Sequence, residues 1–117
     1  MKKLYISCPM SGRTSENIKR SREMMQKMAE LYWGEDLEVI DSVIDYIPPG
    51  TKNERIWCLG QSVSKMAEAD YYIGVETYDY CGCAVENNVA YKYDIPRKFI
   101  SIRHMSDLFD EVLETTE

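Results

Sequence analysis

A chain of 117 residues with 44% hydrophobic content has the size of one domain with one core, and its sequence shows no repeat, low-complexity stretch or linker that would call for a second. Twenty acidic against fourteen basic residues leave a net charge of −6, which argues against nucleic acid as a partner, because backbone phosphates are held by clustered Lys and Arg. No apolar run is long enough to span a bilayer and no leader pattern precedes the first strand, so no membrane partner and a cytoplasmic location are expected.

Leu4-Tyr5-Ile6-Ser7 reads as a short apolar strand. Thr14 or Ser15 then caps a helix in which Ile18, Met25, Met28, Ala29 and Tyr32 recur at helical spacing, and Gly34 ends it. Leu37-Glu38-Val39-Ile40 is a second strand, and Pro48-Pro49-Gly50 is a turn signal. Thr51 and Glu54 match a capping box ahead of a second helix, whose buried face is Ile56, Leu59, Val63, Met66 and Ala67. Asp70 opens a third strand through Tyr71-Tyr72-Ile73-Gly74-Val75. Past Gly82 a third helix carries Val85, Val89 and Ala90 on one side, and Pro96 marks the turn into a strand from Lys98 to Ile102. A last helix presents Met105, Leu108, Phe109, Val112 and Leu113 on one face. Strands alternating with helices imply parallel pairing through right-handed crossovers. The expected fold is therefore α/β, a three-layer sandwich around a parallel sheet of four or five strands, in a single domain 1–117.

Gly82-Cys83-Ala84-Val85-Glu86 is the most informative stretch. It places a carboxylate in the first turn of a helix that follows a parallel strand, where ligands of open α/β sheets bind. Such a carboxylate can serve as nucleophile, base or partner of an emerging cation. The second notable stretch, Ser7-Cys8-Pro9-Met10-Ser11-Gly12-Arg13, runs from the first strand into a helix. It is either a cradle in which backbone amides, Ser11 and Arg13 gather around a phosphate or a plain strand-to-helix turn. It lacks the glycines of a dinucleotide fingerprint and the Lys-Ser/Thr ending of a Walker loop. Cys8, Cys58, Cys81 and Cys83 read as free thiols, and with His104 far along the chain no metal site is expected. Tyr71, Tyr72, Tyr78, Tyr80, Tyr91 and Tyr93 form either a base-stacking wall or a subunit contact.

Together, Tyr5-Ile6-Ser7-x-Pro9-Met10-Ser11-Gly12, Ala69-Asp70 at a strand start, and the Gly82-to-Glu86 spacing resemble the nucleoside 2-deoxyribosyltransferase-like superfamily, which includes the 2'-deoxynucleoside 5'-phosphate N-hydrolases. The resemblance implies a flavodoxin-like or Rossmann-like sheet, a homodimer or higher homo-oligomer, no cofactor, and cleavage of the N-glycosidic bond of a 2'-deoxynucleoside or its 5'-monophosphate. It puts the family's nucleophilic glutamate on Glu86 and the tyrosine that hydrogen-bonds it on Tyr5. Where the family often has a serine or aspartate six residues before the glutamate stands Tyr80, with Asp79 beside it, so Asp79 joins Glu86 and Tyr5 as a catalytic candidate. Ser7, Ser11, Gly12, Arg13, Asp70, Tyr80 and Gly82 are the substrate-binding candidates.

Three positions depart from the family pattern. Ser62 stands where an aspartate that assists the leaving base is common, Tyr80 is as described, and Cys8 replaces a usual glycine. The chemistry that the resemblance implies is familiar: oxocarbenium character at the anomeric carbon is met by a carboxylate beneath the sugar, which collapses to a glycosyl ester. Water then completes hydrolysis, or a second base completes transfer. The alternative is a non-catalytic nucleotide-binding or sensing module on the same fold.

Overall fold

The computed structural model describes residues 1–10, 12–77 and 81–101. Its elements are β1 (Lys2–Ser7), α1 (Ser15–Trp33), β2 (Leu37–Val39), α2 (Glu54–Met66), β3 (Tyr71–Glu76), α3 (Cys81–Lys92) and β4 (Arg97–Ser101). The four strands form one parallel sheet in the order β2-β1-β3-β4. The predicted last helix and the end of the predicted fourth strand at Ile102 lie outside the described residues.

Local chemistry explains the boundaries. Thr14 caps α1 by accepting from the Asn17 amide at 3.2 Å, and Gly34, at a φ of 71°, closes it with its N–H on the Glu30 carbonyl. The cap of α2 is Asn53 rather than the predicted Thr51: Asn53 Oδ1 accepts from the Ile56 amide at 3.0 Å. The Thr51 hydroxyl is committed elsewhere, donating to the Pro48 carbonyl at 2.6 Å and so locking the Pro-Pro-Gly turn. The irregular stretch between β2 and α2 is tied to α2 by Trp57 Nε1 on the Tyr46 carbonyl and Lys65 Nζ on the Val43 carbonyl.

Alternation along the strands sends neighbouring residues to opposite faces of the sheet. Leu4 and Ile6 of β1, Ile73 and Val75 of β3, Leu37 of β2 and Ile100 of β4 share one cluster with Met25 and Ala29 of α1. Tyr5 and Tyr72 belong to a second cluster with Met66 of α2 and Ala90 of α3. Apolar burial on both faces is what a parallel sheet requires. The exposed Tyr32 departs from the expected α1 core: its ring sits under the Lys98 ammonium and against Trp33.

The register aligns Tyr5 with Tyr72 and Ser7 with Gly74, so the second face carries two stacked phenol rings, 5.9 Å between centroids and 3° from parallel, followed by a serine and a glycine. Gly74 is fixed by space, since a Cβ there would fall 2.8 Å from both Cε1 and the hydroxyl of Tyr72 and closer still to Asn87 Oδ1. Gly74→Ala is expected to destabilise the protein by about 1–3 kcal/mol through overpacking, read as a lowered thermal midpoint with α3 as the element that loosens.

Candidate functional site

Strand order reverses between β1 and β3: the chain steps outward from β1 to β2, then returns past β1 to β3 and β4. Crevices beyond the carboxyl ends of strands at such a reversal are where α/β sheets receive ligands. Ser7, the last residue of β1, lies at this end, and α3 begins beyond the carboxyl end of β3.

The helix opens at Cys81, one residue before Gly82, so Glu86 sits in its second turn rather than the first as predicted. The buried face of α3 is Cys83, Glu86 and Ala90; Val85, which the sequence grouped on one side with Val89 and Ala90, is 38% exposed. A glutamate replaces valine on the inner face because the sheet supplies donors for it. The Tyr5 hydroxyl donates to Glu86 Oε2, and the Ser7 hydroxyl donates to Oε1 at 2.9 Å. Only 8% of Glu86 is exposed, and Tyr5 and Ser7 are buried. Each carboxylate oxygen thus has a hydroxyl donor, which makes burial of the group tolerable.

A second pair of bonds holds α3 in place. The Tyr72 hydroxyl donates to Asn87 Oδ1, and Asn87 Nδ2 donates to the Val75 carbonyl at 2.7 Å. Ser62 of α2 faces the Tyr5 hydroxyl, the carboxylate's donor. Ser7 also faces the Tyr72 hydroxyl and the Cys83 thiol.

Burial dominates the electrostatics. It raises the proton affinity of Glu86, an effect opposed in turn by the Tyr5 and Ser7 hydrogen bonds and by the charge of Arg22. Burial also raises the Tyr5 and Tyr72 phenols, reinforced by the nearby Glu86 charge, and pushes the Cys83 thiol up to about 11. These groups are neutral donors at ordinary pH. All four cysteines are free, with Cys8 and Cys83 buried. The arrangement presents one poorly solvated, hydroxyl-anchored carboxylate, suited to act on carbon as a nucleophile or to face a developing cation.

The other sequence candidates are placed differently. Arg13 turns into the protein: Nη1 donates to the Pro9 carbonyl at 2.7 Å and to Cys8 Sγ at 3.5 Å, while Nη2 donates to the Asn17 carbonyl at 3.2 Å and Ser21 Oγ at 2.5 Å. Through these bonds it staples the β1–α1 loop. Gly12 is exposed with a φ of 75°, a left-handed turn position that favours glycine. Asn17, in the first turn of α1, is buried, and among the described residues its Oδ1 has no hydrogen-bond partner.

Asp70 is not brought to the site. It lies at the amino end of β3, where its carboxylate accepts from the Lys3 amide at 2.8 Å and its own N–H meets the Lys3 carbonyl. That is about 13 Å along the strand from Gly74 at the usual rise, so Asp70 secures the opposite end of the strands. Gly82 is an exposed residue of the first turn of α3 with open space around it. Ser11, Asp79 and Tyr80 lie outside the described residues. A groove of about 330 Å³ lies on the other face, between α1 and β2, with Ile6, Val39, Lys19 and Arg22 among its walls. Asn87 is the residue beside the site that the sequence reading misses; Tyr72 reads there only as one of a tyrosine cluster forming a base-stacking wall or a subunit contact, without its bond to Asn87.

Two outcomes follow from the buried carboxylate. Tyr5→Phe removes a donor to an ionised group, a loss of about 1.5–3 kcal/mol, and denaturant unfolding should show a larger deficit at pH 8 than at pH 5. Because the native proton affinity of Glu86 lies above its ordinary value of 4.5, folded protein holds this proton more tightly than unfolded chain. The ionised group therefore costs stability that is absent below 4.5 and appears as pH rises through the raised value. Glu86→Gln should melt above wild type at pH 8, with the gap closing toward pH 4 in thermal scans. Comparison with protein-family models, curated proteins and solved structures yields no match.

Proposed function

We propose that the protein cleaves the N-glycosidic bond of a 2'-deoxynucleoside or its 5'-monophosphate, with Glu86 as the nucleophile. The observation that carries this reading is the buried Glu86 carboxylate, anchored at both oxygens by Tyr5 and Ser7 at the carboxyl end of the sheet. The resemblance of these same residues and of the β1–α1 loop to the deoxyribosyltransferase-like superfamily supports it, as does the order β2-β1-β3-β4, which is that of a flavodoxin-like sheet through four strands.

In this mechanism the sugar lies with its anomeric carbon above Glu86. As the bond to the base lengthens, positive charge grows on the ring, and the carboxylate first stabilises it and then closes to a glycosyl ester. Tyr5 and Ser7 fix the carboxylate in one orientation, which lowers the reorganisation needed at the moment of reaction. The neutral phenol and thiol around it do not compete as nucleophiles. Arg13 shapes the loop that receives the sugar or phosphate, Gly12 allows its turn, and the resemblance adds Asp79 as a catalytic candidate and Ser11, Tyr80 and Gly82 as substrate-binding candidates. Water attacking the ester gives hydrolysis, and a second base gives transfer.

A non-catalytic nucleotide-binding module is the competing reading. Ser62 favours it: the position behind Tyr5 that would hold an acid for the leaving base holds a hydroxyl.

Incubation with the four deoxynucleosides and their 5'-monophosphates, followed by chromatography for free base, separates the two. Base release that falls by at least about a thousandfold in Glu86→Gln is the expected result. Ligand binding without base release, unchanged by that substitution, would overturn the enzyme reading in favour of the module.

A further inference from the structure

Glu86 and Asn87 are consecutive residues of α3, about 100° apart around the helix, and each meets a tyrosine hydroxyl from a different strand. The Tyr5 hydroxyl of β1 donates to Glu86 Oε2, and the Tyr72 hydroxyl of β3 donates to Asn87 Oδ1. These tyrosines are register partners, and their rings stack 5.9 Å apart and 3° from parallel. Peptide bond, hydrogen bonds and ring stack thus close one circuit through Tyr5, Glu86, Asn87 and Tyr72.

Asn87 also has a bond outside the circuit, since its Nδ2 donates to the Val75 carbonyl at 2.7 Å. A carbonyl only accepts, so the NH2 end of the amide must face Val75 and its oxygen must face Tyr72, which leaves the Tyr72 hydroxyl as donor. The Tyr72 proton is committed to Asn87, and the carboxylate keeps Tyr5 and Ser7 as its donors. No hydrophobic side chain at position 87 could make both bonds, and an aspartate would set an acceptor against the Val75 carbonyl. Gly74 supplies the room, because a Cβ there would crowd Asn87 Oδ1. The amide therefore ties the turn that carries Glu86 to the carboxyl end of β3, while Glu86 itself is tied to β1.

We propose that Asn87 is a positioning residue of the site: its amide, bonded to the Tyr72 hydroxyl and the Val75 carbonyl, fixes the rotation and height of α3 over the sheet and so holds the Glu86 carboxylate on its Tyr5 and Ser7 donors. The assignment rests on the reading of Glu86 as the working carboxylate. It gives two neighbouring residues separate roles, one to react and one to hold the helix that presents it.

The test is a carbon-13 NMR titration of glutamate side-chain carboxyls in the full chain, with Glu86→Gln identifying the resonance of interest and thermal scans run beside it. The groups that bear on that resonance are Tyr5 and Ser7 of β1, Tyr72 of β3 and Cys83 of its own helix, with Arg22 of α1 acting by its charge. Asn87→Leu should raise the Glu86 midpoint by about one pH unit, because loosened Tyr5 and Ser7 bonds stabilise the carboxylate less; Asn87→Ala decides if circular dichroism shows the first variant misfolded. Tyr72→Phe, which leaves the ring in place, should raise it as well, and Asn87→Leu combined with Tyr72→Phe should move it by less than the sum of the two. Where base is released, kcat should fall about tenfold to a hundredfold in Asn87→Leu, with KM within about twofold of wild type. A folded variant that melts lower while the Glu86 midpoint stays or falls, or single shifts that sum in the double variant, overturns the proposal and leaves Asn87 a fastening of the helix alone. Midpoints that move as expected without base release from any substrate would sink the proposed activity and leave the placement of Glu86 by Asn87 standing.

Discussion

The hydrogen bonds from Tyr5 and Ser7 to Glu86 join groups 81 and 79 residues apart in the chain and settle where α3 lies on the sheet. A carboxylate taken out of water without donors would cost several kcal/mol, so the helix has one rotation about its axis in which Glu86 can face inward. That rotation puts Cys83 and Ala90 against the sheet and turns Val85 outward. It also brings Asn87 to the Tyr72 hydroxyl and the Val75 carbonyl, a set of bonds that tolerates nothing larger than glycine at position 74. The stacked Tyr5 and Tyr72 rings below form an apolar floor whose polar tips all point at one end of the sheet.

This face departs from the pattern of an ordinary buried face. The α1 side of the sheet is filled mainly by aliphatic residues, with Cys8 and Met25 among them, that could be exchanged for others of similar volume. On the α3 side, phenol, hydroxyl, thiol and carboxylate groups occupy the positions nearest the strand ends, and the chain tolerates a buried acid whose ionised form opposes folding. Proteins accept such local penalties where a strained or poorly solvated group has a use.

Much of the fold was legible in the sequence because it depends on local signals. The four strands are short apolar runs, the helices carry recognisable periodicity, and Thr14 and Gly34 bound α1 as their chemistry requires. The cap of α2 was misplaced because Thr51 and Asn53 are both competent, and only the Pro48 carbonyl, which claims the Thr51 hydroxyl, decides between them. At the site, Glu86, Tyr5 and Ser7 were legible as candidates, but the depth of burial of Glu86 was not, since a glutamate reads as solvent-facing until its donors are located on another element. Arg13 and Asp70 show the converse. The carbonyls that Arg13 meets and the Lys3 amide that Asp70 meets are partners that sequence spacing does not reveal.

The bonds from Gln26 and Glu30 to Leu37 have a consequence beyond the site. β2 ends the sheet on one side, and a terminal strand with bare amides and carbonyls is a template on which another chain can add. Here the outward-facing N–H and C=O of Leu37 are already occupied by side chains of the helix above, and β2 spans three residues. The helix substitutes for the missing neighbour strand at Leu37, so this edge of the sheet is closed there by its own chain and offers less purchase for edge-to-edge aggregation.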